Sequence, residues 1–131
     1  MREIIFKAKR KDNGEWVEGL LWKKKYDSNK IFISCFPDKD DNEEVFVVEP
    51  DTICQYTGLT DKNGRKIWEN DIVVIPVENG YFLVEWSDTE ARWQMNNEED
   101  AFIVDFDNYW SYQVEVIGNV FDNSELLEKA R

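Results

Sequence analysis

The sequence predicts a mainly β protein with one short C-terminal helix. Three observations carry that prediction: apolar and polar residues alternate with period two, β-branched and aromatic residues fill the runs, and turn residues separate them. Stripes at helical spacing are nearly absent. Glu3 to Arg10 reads as a first strand, Lys11 to Glu15 as a turn, and Trp16 to Lys25 as a second strand, with Asn13-Gly14 signalling a hairpin. Tyr26 to Asn29 reads as the next turn, Lys30 to Phe36 as a third strand, and Pro37 to Glu43 as an acidic loop. Glu44 to Val48 is a fourth strand that Pro50 must end, because proline lacks the ladder donor. Thr52 to Tyr56 is a fifth. After Gly58 and the turn Asp61-Lys62-Asn63-Gly64, Ile67-Trp68 leads into Asp71 to Ile75, whose unbroken apolar run suits a strand covered on both faces. Asn79-Gly80 is the second hairpin signal, ahead of Tyr81 to Trp86. A loop over 87–100 follows, and Ala101 to Phe106 and Ser111 to Ile117 complete the strands. Asn123 or Ser124 caps a helix over Glu125 to Lys129, with acid in its first turn and lysine near its end. Many short strands with one terminal helix suit a small antiparallel barrel or an SH3-like roll.

A chain of 131 residues forms one domain, or two small β modules sharing one core, and buries enough apolar surface to fold without staples. It holds no repeat, low-complexity tract or linker. Charge interrupts the opening apolar run, and no stretch approaches the roughly 18 apolar residues of a membrane span, so the expectation is a soluble protein without a targeting signal. Cys35 and Cys54 lie in apolar, strand-like runs and read as reduced core thiols, which fits the cytoplasm.

Charge is unevenly spread. Residues 1–30 hold nine Lys or Arg against five acids, a net +4, so residues 31–131 carry −16 of the total −12. Such an acidic surface repels phosphate backbones and anionic lipid, which disfavours nucleic-acid binding unless the basic N-terminal hairpin forms a separate face. Lys23-Lys24-Lys25 is a short basic run that alternation splits between the two sides of a sheet.

Several chemistries are set aside. The chain has no histidine, so it builds no Ser-His-Asp or Cys-His pair and no histidine metal site. Its six glycines form no phosphate-cradling loop, and neither cysteine belongs to a Cys-x-x-Cys. Asp38 to Glu49 places Asp, Asp, Asn and Glu at positions 1, 3, 5 and 12 of a calcium loop, but Glu43 occupies the obligatory glycine position and the flanks read as strands. Glu98-Glu99-Asp100 and Asp105 with Asp107 are carboxylates without a visible cleft. No catalytic residue, metal, cofactor or small-molecule ligand is inferred.

The segment Gln55-Tyr56-Thr57-Gly58-Leu59-Thr60-Asp61-Lys62-Asn63-Gly64-Arg65-Lys66-Ile67-Trp68-Glu69-Asn70-Asp71-Ile72-Val73 resembles the signature of the YopX-like phage proteins. Two further stretches support it: Arg2 to Ala8 at the start, and Glu115 to Leu127, containing Gly118-Asn119, at the close. Two positions depart from the family pattern. Lys9 stands where the family has an aromatic, and Asn70 where it has a glycine, a change the turn tolerates because asparagine accepts left-handed backbone. The resemblance implies a phage or prophage gene, a β-rich roll and a bacterial cytoplasm, and carries no catalytic residue with it. Gln55, Tyr56, Thr57, Gly58, Asp61, Asn63, Gly64, Trp68, Asp71, Gly118 and Asn119 read as fold-determining, since each has a local structural explanation.

The functional expectation is a non-enzymatic accessory protein that binds a protein partner or assembles with itself. Two other readings fit the composition: an acidic nucleic-acid mimic that blocks a host DNA- or RNA-binding protein, and a metal-dependent carboxylate enzyme. The candidate partner face lies between Glu85 and Trp110, where Glu85, Asp88, Glu98, Glu99 and Asp100 interleave with Trp93 and Trp110, as aromatic anchors do within a charged rim. The competing reading is a solvated loop whose tryptophans turn into the core. Short strands with unpaired edges, on a chain with six Trp, also favour self-association.

Overall fold

The computed structural model describes residues 3–24, 26–36, 42–75, 80–97, 102–105 and 113–129. Its elements run β1 (Phe6–Lys9), β2 (Trp16–Lys24), β3 (Asp27–Cys35), β4 (Glu44–Val48), a 3₁₀ turn (Pro50–Thr52), β5 (Cys54–Thr60), β6 (Lys66–Trp68), β7 (Asp71–Val74), β8 (Phe82–Ser87), β9 (Arg92–Asn97), β10 (Phe102–Asp105), β11 (Glu115–Asn119) and α1 (Ser124–Lys129). The chain divides into two compact units, 1–56 and 57–131, each with its own apolar cluster. The strand orders are β4-β3-β2-β1-β5-β6 and β10-β9-β8-β7-β11. Both sheets are antiparallel and neither is a closed barrel, so of the two architectures expected from sequence the barrel does not form.

In the first unit β1 to β4 form a meander. Arg10 N–H to Glu15 O (2.8 Å) and Gly14 N–H to Arg10 O (2.9 Å) close the first hairpin, with Gly14 at φ 75° as the Asn-Gly signal requires. Lys11 N–H donates to Val47 O and Glu49 N–H to Lys9 O, bringing β4 back to the end of β1 through one isolated bridge, Arg10↔Val48. One bridge falls short of the ladder that would close a barrel. Alternation puts Val17 and Leu21 of β2 and Ile31, Ile33 and Cys35 of β3 on the side that packs around Ala8, Ile33 and Val48. Gly19 lies where β2 and β3 approach too closely for any side chain: a Cβ there would sit 2.0 Å from the Ser34 carbonyl oxygen. Pro50 ends β4 as expected. Thr52 Oγ1 then accepts from Lys9 N–H (2.9 Å) and donates to Glu49 O (2.7 Å), fixing the 3₁₀ turn against β1.

In the second unit Ile67, Val73, Ile75, Phe82, Val84, Met95 and Val114 form the buried cluster, with Leu59, Trp93 and Val116 packed on it. Three expectations are corrected. Residues 92–97, expected within a loop, form β9, a central strand whose buried positions include Gln94 and Asn97, so its polar residues mask the period-two signal. Asp27 to Asn29, expected as turn, already belong to β3. The last strand is shifted toward the C-terminus, because a register irregularity between Val116 and Gly118 lets pairing with β7 continue to Asn119↔Asp71. The helix forms over Ser124–Lys129 with Asn123 before it; the Asn123 carbonyl accepts from Leu126 N–H (2.9 Å), while its side chain turns back to Asn119 N–H (3.2 Å). No helix among the described residues is long and apolar enough to cross a membrane.

Candidate functional site

The signature segment builds turns. Tyr56 N–H donates to Ile5 O (3.0 Å) and Gln55 pairs with Phe6, which ties the start of β5 to the N-terminal strand. Thr57 Oγ1 donates to Ile67 O (2.7 Å) and accepts from Leu59 N–H (3.1 Å), while Gly58 takes φ 90°. Asp61 is the hub. It is 4 % exposed; Oδ1 accepts from Asn63 N–H and Arg65 N–H, each at 2.9 Å, and Oδ2 accepts from Val116 N–H at 2.9 Å, so one carboxylate joins the β5–β6 turn to β11. Burial alone would push this carboxyl up, but the N–H donors of Val116, Arg65 and Asn63, with the Arg65 charge, outweigh it and hold the group below the ordinary value. Gly64 takes φ 80°, and Asn63 Nδ2 reaches Glu115 Oε2 at 3.4 Å. Buried Asp71 accepts from Trp68 N–H (2.8 Å) across a turn in which Asn70 has φ 71°, the left-handed backbone a glycine would supply. Asn119 Oδ1 accepts from Phe121 and Asp122 N–H, and Gly118 leaves room for Asn123, whose Oδ1 would lie 2.6 Å from any Cβ at 118.

The acidic segment is only partly brought together. Trp86 and Trp93 face each other across β8 and β9, ring centroids 5.2 Å apart and edge-on at 71°; Trp93 packs on the core and Trp86 stays 42 % exposed. Glu85 lies on the opposite side of the sheet, where Oε1 accepts from Gln94 Nε2 (2.7 Å) and Asn96 Nδ2 (3.2 Å). Asp88 and Glu90 are exposed in the hairpin turn, which Glu90 N–H to Ser87 Oγ (3.1 Å) and Ala91 at φ 53° shape. Glu98, Glu99, Asp100 and Trp110 lie outside the described residues, as do residues 38–41 of the calcium-like loop. Among the described residues no group of three or more Cys, Asp or Glu side chains is placed to hold a metal ion.

A second surface is assembled by register. On the side of β2, β3 and β4 opposite the first unit's core lie Trp16, Leu20, Trp22, Phe32, Val45 and Val47. Leu20 is 53 %, Val45 46 % and Trp22 38 % exposed. Trp22 stacks on Phe32 (centroids 4.4 Å apart, 14° between planes), and its Nε1–H donates to Ser34 Oγ (2.7 Å), which donates to Glu43 Oε1 (2.6 Å). Lys24 Nζ lies 5.9 Å from the Phe32 centroid, and Lys7 and Lys9 Nζ stand 4.6 and 5.4 Å from the Trp16 centroid. The result is a strip about 20 Å long, from Trp16 to Trp22 at strand rise, in which exposed Glu18 stands between Trp16 and Leu20 and Lys7, Lys9 and Lys24 flank the rings.

The model of the family described as YopX protein matches residues 5–128. The chain belongs to the YopX family. Among solved structures it is similar to protein EF1440 from Enterococcus faecalis, at 24 % identity and TM-score 0.58, covering 97 % of this chain and 99 % of that one, a likeness of fold. No curated protein matches.

In this YopX chain, sequence reasoning singled out the acidic stretch and missed the lysine-rimmed strip. Trp16, Leu20, Trp22 and Phe32 read as interior residues of strands; the available signal was that β2 and β3 carry large apolar residues on both sides of their alternation, more than one core can cover. Along β4 an open cleft of about 280 Å³, lined by Lys11, Asp12, Val45, Phe46 and Val47, is too small and open to bury a drug-sized ligand. Cys35 and Cys54 carry free thiols. Burial, then the Glu44 and Glu18 charges, raise Cys35 above an ordinary thiol, so it is a poor nucleophile.

Proposed function

We propose that this YopX-family protein is a non-enzymatic, phage- or prophage-encoded accessory module of the bacterial cytoplasm that binds an acidic, apolar-anchored protein segment on the outward side of β2, β3 and β4. The observation that carries this reading is the lysine-capped aromatic strip. Exposed Leu20, Trp22 and Val45 offer apolar area at the centre and lysines stand at the rim, the layout of a protein interface. Single-stranded nucleic acid would need open ring faces, because bases bind by stacking. Here ammonium groups lie over Trp16 and Phe32, and Trp22 stacks on Phe32. The ammonium groups attract carboxylates over the short range that screening leaves. The absence of histidine supports the non-enzymatic part of the reading.

The test is affinity capture from bacterial lysate with the wild-type chain and with Leu20→Ser/Val45→Ser, both residues being about half exposed. Proteins held by the wild type, lost by the variant, and held less by the wild type as salt rises to about 0.5 M, where the Debye length is about 4 Å, are the expected result. An identical set of captured proteins from both baits overturns the proposal.

A further inference from the structure

We infer that Asn13 is a site of spontaneous deamidation, at which the backbone nitrogen of Gly14 attacks the side-chain amide, and that the identical pair Asn63-Gly64 is held against the same reaction by the Asp61 carboxylate. An asparagine followed by glycine is open to this attack because no Cβ shields the nucleophile, and the sequence holds such pairs at Asn13-Gly14, Asn63-Gly64 and Asn79-Gly80. Asn79 lies outside the described residues. The other two pairs are exposed, with left-handed glycines at φ 75° and 80° and nothing within 4 Å of a Cβ placed on either. In the reaction Gly14 N–H gives its proton to hydroxide, the nitrogen bonds to Asn13 Cγ, and the electron pair moves onto Oδ1. The intermediate then expels ammonia, whose last proton comes from water, which restores the hydroxide. Water opens the resulting succinimide to aspartate or isoaspartate, so the β1–β2 turn gains a carboxylate and, in isoaspartate, a backbone methylene. The two turns differ in what must break first. Both glycine N–H groups are engaged, Gly14 with Arg10 O at 2.9 Å and Gly64 with Asp61 O at 3.0 Å, so each turn must open before its nitrogen attacks. The Asn63-Gly64 peptide lies between Asn63 N–H and Arg65 N–H, both held at 2.9 Å by Oδ1 of buried Asp61, whose Oδ2 holds Val116 N–H, and Lys62 N–H is tied to Val114 O. In the other turn Glu15 N–H donates at 2.9 Å to Asn13 Oδ1 itself, the oxygen that takes up the charge, so the bond that shapes the turn also favours the intermediate. Residues 11–15 are all exposed, and exposed tips of this kind open most readily. The Asn63 amide has a carboxylate beside it instead, Glu115 Oε2 at 3.4 Å from Nδ2, which opposes negative charge on the intermediate.

The experiment is site-resolved mass spectrometry of the purified full chain during incubation in mildly alkaline buffer, once folded and once in denaturing urea, with isoaspartate read independently by enzymatic methylation of its carboxyl. In the folded chain Asn13 is expected to convert at least about tenfold faster than Asn63, equivalent to about 1.4 kcal/mol, and in urea, where both turns are lost, the two rates should agree within about twofold. Asp61→Asn gives up the charge that clamps the Asn63-Gly64 peptide, so it is expected to raise the rate at Asn63 and leave the rate at Asn13 unchanged. Equal rates at the two sites in the folded chain, or a faster Asn63, overturn the inference. An Asn13 that stays an amide in the folded chain while the unfolded chain converts overturns it too. A ratio as large in urea as in the folded chain also overturns it, since the ranking then belongs to the local sequence, and an Asn63 rate unmoved by Asp61→Asn overturns the protection assigned to that carboxylate.

Discussion

Replacing Asp61 tests whether the signature segment serves folding. Its carboxylate accepts three backbone N–H groups, from Asn63, Arg65 and Val116, all at 2.9 Å, in a site 4 % exposed. Hydrogen bonds to a charged group contribute about 1.5 kcal/mol each at the low end, so loss of three in Asp61→Ala is expected to cost about 4.5 kcal/mol. Asp61→Asn keeps the shape and the two bonds to Oδ1 but turns an N–H₂ toward Val116 N–H, an expected loss of about 2 kcal/mol. At a urea m value of about 1 kcal/mol/M, the asparagine variant unfolds about 2 M earlier, read by tryptophan fluorescence. The pH dependence follows from the depressed folded-state value. Stability from Asp61 is present above the unfolded carboxyl's 3.8 and is lost as pH falls through the lower folded value, because there the unfolded chain binds the proton first. The gap between wild type and Asp61→Asn should therefore be full at pH 7 and shrink on acidification below that range. A gap under about 0.5 kcal/mol at pH 7, within the usual range of unimportant surface changes, would refute the reasoning, as would one constant from pH 7 to pH 3.

Asn70 has φ 71°, a backbone in which a β-branched side chain is strained, so Asn70→Val is expected to cost about 2 kcal/mol, measured by the same urea titration. At Gly19 a Cβ would meet the Ser34 carbonyl at 2.0 Å, and since that oxygen is backbone it cannot swing aside; Gly19→Ala is expected to cost about 3 kcal/mol or more. Loss of amide protection in β2 and β3, by hydrogen exchange, would locate that damage.

How much was legible depends on where each residue's instructions reside. Gly14 and Gly64 announced their turns because their positive φ is a property of the residue itself, and Asp61 announced an Asx-type turn for the same local reason. The bond from Val116 N–H to Asp61 spans 55 positions, and no local rule finds it. β9 was hidden because Gln94 and Asn97 are buried polar residues; Gln94 is satisfied by Glu85, a cross-strand partner that only the register Glu85↔Gln94 reveals. The strip was hidden for the opposite reason. Trp22 and Phe32 look like core residues, and which side of a sheet meets solvent is decided by what packs on the other side.

The strip's ordering bears on how tightly it can bind. Trp22 is held by the ring of Phe32 and by Ser34 Oγ, itself held by Glu43, so its rotamer is set before any partner arrives. An immobilised side chain otherwise costs about 0.5–1.5 kcal/mol on binding, and a preset anchor avoids that cost. Ser34→Ala removes the acceptor while leaving Trp22 Nε1, on a side chain 38 % exposed, open to water, so folding should lose only about 1 kcal/mol. Association should suffer as well, because the freed indole must be reordered in each contact. The expected outcome is a fewfold to tenfold weaker retention of the lysate proteins that the wild-type strip captures, with a urea midpoint close to wild type. If the variant retains them as tightly as wild type, the indole is not the anchor, and the apolar contribution must come from Leu20 and Val45, whose side chains have no polar tether to lose.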